Sequence, residues 1–172
     1  MISSQLEVLT QARDYLNTVS FHQYNEVISP NFMSSAGAHI RHIIDHYQAI
    51  IIGTQLHFID YDIRKRDAAI EHSPFAALSK IHEIFIWLEK LTPETLKTTV
   101  TLSTEVSISS CQVERVNTTI ARELVFAASH AVHHFAMIAQ IALLQKQSLP
   151  LHFGLAPATA TYLRQQQDKI SH

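Results

Sequence analysis

LVFAASHAVHHFAMIAQIALLQ, residues 124–145, holds no Asp, Glu, Lys or Arg, and its reading decides the fold. With its flanks it predicts a long helix from about Thr119 to Gln147, capped by Asn117 or Thr118. Such a helix is long enough to span a bilayer. Three histidines, Ser129 and Gln140 interrupt it, however, and no other segment comparably free of charge would accompany it in lipid. The central helix of a bundle, buried nearly all round, accounts for the same pattern, and Ala127, Ala128 and Ala131 would let neighbouring helices approach closely. Within it, His130 and His134 lie four residues apart. At about 3.6 residues per turn they share one face, which is metal-ligand spacing.

Working outward, 172 residues suit one domain covering 1–172, large enough to bury a core without disulfides or metal. Thirteen Lys and Arg against fifteen Asp and Glu, with no basic run, predict no nucleic-acid binding. The single Cys111 cannot form an internal disulfide, and the first residues lack the pattern of a secretory signal. A cytoplasmic protein with no membrane partner is expected, and homodimerisation is compatible with so apolar a bundle.

Upstream, a first helix is predicted from a Ser3 or Ser4 cap to about Val27, with Leu6, Leu9, Ala12, Leu16 and Val19 on one face. After the turn Ser29-Pro30-Asn31, Ser34 or Ser35 caps a second helix ending near Ile59. The mixed charges of residues 60–67 read as a connection. Ser73-Pro74 opens a third helix that stops near Leu91-Thr92-Pro93. Alternation between Thr98 and Val116 predicts a hairpin before the longest helix. Phe153-Gly154-Leu155 begins a loop leading to a short final helix that ends near Asp168. The expected fold is therefore all-α: a four-helix bundle with a small β-hairpin before the last long helix and a short C-terminal helix.

The second helix carries His39, His42, His46 and His57 on or near one stripe. A His pair at i, i+4 from one helix and one His from another make a three-nitrogen site with open positions. His130, His134 and His42, the middle of its stripe, are the candidate metal ligands. His46 is a candidate fourth ligand or a partner behind the ligands, and His39 lies one turn away. His133 points about 100° from His134 and is not expected to share the ion. A lone helical histidine is ordinarily a hydrogen-bonded core residue. Two clusters on the two most apolar helices are harder to explain so, because each uncompensated ring would cost about 1–3 kcal/mol. Glu123 reads first as a carboxylate stabilised by the helix N-terminus, and second as a base or a group orienting a ligand. Cys111 and the isolated His22, His72, His82, His152 and His172 are assigned no role in the site.

Residues 37–47 around His39-Ile40-Arg41-His42, residues 122–134 around Ser129-His130, and Phe153-Gly154-Leu155-Ala156-Pro157-Ala158-Thr159 together resemble the DinB-like (YfiT-like) metalloenzyme superfamily. The resemblance covers most of the chain. It implies a four-helix bundle holding a divalent ion, Zn, Ni or Fe, on one histidine of the second helix and an H-x-x-x-H pair of a later one; His42, His130 and His134 match. It also implies a metal-dependent transferase or hydrolase, with transfer of a low-molecular-weight thiol such as bacillithiol or glutathione to small electrophiles the leading form. A non-catalytic metal-binding or dimerising bundle is the alternative. The sulfoxide synthases with a related bundle carry a large additional domain that is not part of this sequence. The charged segment after the second helix could cover the site, and Arg64 or Arg66 could then bind a carboxylate of a thiol cofactor.

Overall fold

The computed structural model describes residues 1–63 and 68–170. Eight helices and three strands follow in the order α1 (Ile2–Thr18), α2 (Phe21–Asn25), α3 (Ala36–Leu56), β1 (Phe58–Asp60), α4 (Ala69–His72), α5 (Pro74–Glu89), α6 (Pro93–Lys97), β2 (Thr99–Glu105), β3 (Val113–Thr119), α7 (Ile120–Leu144) and α8 (Pro157–Ile170). The long helices α1, α5, α3 and α7 form a closed ring in which each packs on the next, α7 returning to α1. This is the expected four-helix bundle.

Local chemistry sets the boundaries. Ser35 and Ser73 cap α3 and α5 by accepting from the backbone N–H three residues on, and Pro74 occupies the first turn of α5. The first predicted helix divides in two. Val19 is extended and Ser20 forms a capping box with Gln23, so α2 starts afresh. The cap of α1 is Met1 rather than Ser3 or Ser4, and it has no side-chain bond. The helix α3 stops at His57, whose left-handed φ of 54° turns the chain into a strand instead of carrying the helix to Ile59. Thr119, rather than Asn117 or Thr118, caps α7.

The predicted hairpin is β2 and β3, antiparallel from Thr99 opposite Thr119 to Glu105 opposite Val113. A third strand joins it: β1 pairs parallel to β2, with Phe58 opposite Thr101 and Asp60 opposite Ser103. The connection between β1 and β2 contains α5, as a parallel pairing requires a long crossover. The sheet therefore joins the end of α3 directly to the start of α7.

The core is aliphatic and aromatic, with Leu9, Tyr15, Ile40, Ile44, Tyr47, Ile84, Leu124 and Phe135 shielded from solvent. The buried Tyr47 hydroxyl donates to Gln5 Oε1 at 2.9 Å, tying α3 to α1. Arg41 bridges α3 and α4, with ion pairs of 2.9 Å to both Asp45 and Glu71. By length and composition α7 is apolar enough to cross a membrane. In the bundle its Ile120, Leu124, Ala127, Ala131, Phe135, Ile138 and Ile141 are buried.

A candidate metal centre between α3 and α7

Residues three, four and seven apart on a helix share a face, and that rule places His39, His42 and His46 along the side of α3 that meets α7. From α7, His130 and His134 face them. His130 Nε2 lies 3.0 Å from His42 Nε2 and 3.1 Å from His134 Nε2. Ligand nitrogens of His42, His46 and His130 all lie within 4.8 Å of one another, an arrangement that could hold a metal ion. Of the four residues singled out for the site, His42, His46 and His130 form this group, and His134 lies outside it in contact with His130. Arg64 and Arg66, the candidate contacts for a thiol cofactor, lie outside the described residues.

Hydrogen bonds prepare the rings. His46 Nδ1 is 3.0 Å from the His42 carbonyl oxygen, which can only accept, so this nitrogen carries the proton and Nε2 keeps its lone pair in the neutral ring. His39 Nδ1 lies 2.8 Å from His134 Nδ1. Burial holds the His134 imidazolium form down to a pKa of about 2, with further opposition from neighbouring His130, His42, His39 and His133. Burial, followed by His133, also lowers the pKa of His39. Around neutral pH both rings are neutral, the form that donates a lone pair to an ion.

The donor chemistry suits a divalent ion: the ligand nitrogens of His42, His46 and His130 lie within 4.8 Å of one another, and His134 Nε2 stands 3.1 Å from His130 Nε2 at the edge of this group. Imidazole suits Zn, Ni and Fe alike.

Aromatic residues wall the cluster on one side. Tyr61 stacks on His46 with centroids 4.8 Å apart and planes 22° apart, and Phe126 stacks on His130 at 5.6 Å and 16°. The Tyr61 hydroxyl donates to Glu123 Oε2 at 2.6 Å. Glu123 is fully buried, and its Oε1 accepts from Thr118 at 2.6 Å and from Arg122 at 2.8 Å. Burial raises the Tyr61 pKa, reinforced by the hydrogen bond and charge of Glu123, so its hydroxyl stays protonated. Glu123 does sit in the first turn of α7, and its buried contacts give it a second task, holding Tyr61 against His46. Tyr61 and Phe126 were not singled out from sequence. Phe126 lies four residues before His130, and that helical spacing was the available signal.

His133 is exposed and stands apart from the close nitrogen contacts, with its ring 5.3 Å from that of His134. It lines a cavity of about 560 Å³ between α1, α7 and the loop before α8, along with Val8, Val125, Val132 and Ala156. Among the described residues no Asp, Glu, Lys or Arg lines this cavity. Cys111 is exposed in the connection between β2 and β3.

No family model matches the chain. Two solved structures share its fold: a DinB-like protein, YjoA, from Bacillus subtilis, with a TM-score of 0.65, 16% identity and coverage of 88% of this chain and 96% of that one; and a DinB-like protein from Bacillus cereus ATCC 10987, with a TM-score of 0.61, 15% identity and coverage of 86% and 92%. The chain therefore has the DinB-like fold. It is also similar to FK506-binding protein 5 of Rhizopus delemar, 32% identical over 108 residues, which make up 63% of this chain and 28% of that protein. The chain thus matches little more than a quarter of that relative's length.

Proposed function

We propose that the chain is a metal-dependent enzyme in which His42, His130 and His134 hold a divalent ion, Zn, Ni or Fe, with His46 as a further ligand or its close support, and that it transfers a low-molecular-weight thiol to small electrophiles. The observation that carries this reading is the chain of Nε2 contacts, 3.0 Å from His42 to His130 and 3.1 Å from His130 to His134, linking two helices. An ion bound by neutral imidazoles keeps its full charge and supplies a Lewis acid that stabilises a thiolate.

The protein residues supply the remainder. His134, whose imidazolium form burial disfavours, offers a lone pair without losing a proton first, and His46 turns its Nδ1 to the His42 carbonyl and leaves Nε2 for the ion. Tyr61 and Phe126 exclude water from one side of the rings. The cavity lined by His133, Val8, Val125, Val132 and Ala156 is mostly apolar and suits an apolar electrophile. In the transfer the thiol loses its proton to solvent, its sulfur forms a bond to the electrophilic carbon, and the leaving group departs with the electron pair of the bond that breaks.

Elemental analysis of untagged protein tests the metal. About one equivalent is expected in the parent and almost none in His42→Ala; under about a tenth of an equivalent in both would refute the reading. Conjugation of bacillithiol, glutathione or other small thiols to electrophiles, abolished by chelation, tests the transfer. A loaded protein inactive with every thiol would instead support a non-catalytic metal-binding bundle.

A further inference from the structure

His39 is one helical turn before His42 and belongs to neither the three-histidine group nor the H-x-x-x-H pair. Its contact is nevertheless short: Nδ1 to Nδ1 of His134 at 2.8 Å. The ring centroids are 5.1 Å apart with planes at 45°, so the rings meet through these nitrogens rather than by stacking. A neutral imidazole has one protonated and one bare nitrogen. Two bare nitrogens at this distance would repel and two N–H groups would collide, so one ring donates to the other. On its opposite edge, His134 Nε2 faces His130 Nε2 at 3.1 Å.

Resting on the reading that His134 gives its Nε2 lone pair to the ion, we propose that His39 is a positioning residue: His39 Nδ1 accepts from His134 Nδ1–H, fixing the tautomer and the rotation of the His134 ring. His46 has the same requirement, met by the His42 carbonyl. For His134 the acceptor is a side chain, so it can be exchanged. A metal-bound imidazole is commonly backed by a carboxylate or a carbonyl. An imidazole in that place orients the ligand while adding no negative charge to the site. His133, whose ring meets that of His134 edge-on at 5.3 Å, serves as the control for a neighbouring histidine.

The test uses the full chain with Zn(II) and Co(II) as probes and chelator competition for affinity. His39→Leu removes the acceptor, whereas His39→Asn places an amide oxygen near the position of Nδ1. The expectation is an affinity about 10- to 100-fold weaker and an altered Co(II) visible spectrum for His39→Leu, with most of both restored by His39→Asn and no change for His133→Leu. In the Zn-loaded parent protein, long-range 1H–15N NMR should show His39 protonated at Nε2 alone and His134 protonated at Nδ1. Parental affinity and spectrum in His39→Leu would overturn the proposal, as would Asn behaving like Leu, or a proton on His39 Nδ1. If circular dichroism shows that His39→Leu does not fold, the Asn variant and the NMR tautomer decide. Metal that binds the parent, is lost in His42→Ala and is unaffected at His39 refutes this proposal alone; failure of the parent to bind refutes the underlying reading with it.

Discussion

Tyr61→Phe removes one oxygen and leaves the ring that stacks on His46. The lost hydroxyl donates at 2.6 Å to Glu123, a carboxylate with no solvent exposure. A hydrogen bond to a charged group contributes about 1.5–3 kcal/mol, and leaving its buried partner short of a donor is the costly part. Glu123 retains Thr118, and Arg122, whose own side chain is 60% exposed and thus partly screened. The loss should therefore fall at the lower end, about 1.5–2 kcal/mol. For a chain of this size that lowers Tm by roughly 3–8 °C, and it lowers the urea midpoint with the slope unchanged. The cycle with Glu123→Leu should give a coupling above about 1 kcal/mol, since the two groups touch. Metal content should survive Tyr61→Phe and fall in Tyr61→Ala, which removes the stacked ring. A destabilisation below about 0.5 kcal/mol in urea would refute the account, because that is the range of substitutions at indifferent surface sites.

Three further outcomes follow from the same geometry. Gly37→Ala should destabilise by about 1–3 kcal/mol in thermal melts, because the added methyl meets the Glu71 carbonyl and stands 2.8 Å from the Tyr24 ring. Metal-free protein should lose stability as pH falls from about 6.5 towards 2: in that window the unfolded chain protonates His134 while the folded chain does not, so the unfolded state binds more protons. Urea midpoints at several pH values should show this slope, reduced in His134→Gln. His130→Ala, which deletes the ring between His42 and His134, should leave less than about a tenth of an equivalent of metal by elemental analysis while retaining the helical circular dichroism spectrum.

Much of this architecture was legible because it is local. Ser35 and Ser73 announce their helices by cap chemistry, and the uncharged run of α7 announces its burial. The histidines could be paired because i, i+3 and i, i+4 spacing survives in any straight helix. The division of the first helix at Ser20 was missed because the apolar spacing of α1 leads into Val19 without a Pro or Gly to interrupt it. Three-residue β1 was missed because its partner is about forty residues away and no local pattern marks so short a strand. The contacts of His39 with His134 and of Tyr61 with His46 and Glu123 depend on how far one helix slides along another, which helical periodicity leaves open.

That sliding is what the small sheet governs. Its first strand leaves α3 after one residue, and its last strand ends on Thr119, the residue that caps α7. The ladder therefore works as a vernier between the two histidine helices. A slip of β3 by two residues would keep its side chains on their faces yet displace the start of α7 by about 6.8 Å. One turn of helix is about 5.4 Å, so the slip would carry His130 past His42 altogether. Seven residue pairs of the β2–β3 ladder thus hold the axial index on which the convergence of the rings depends.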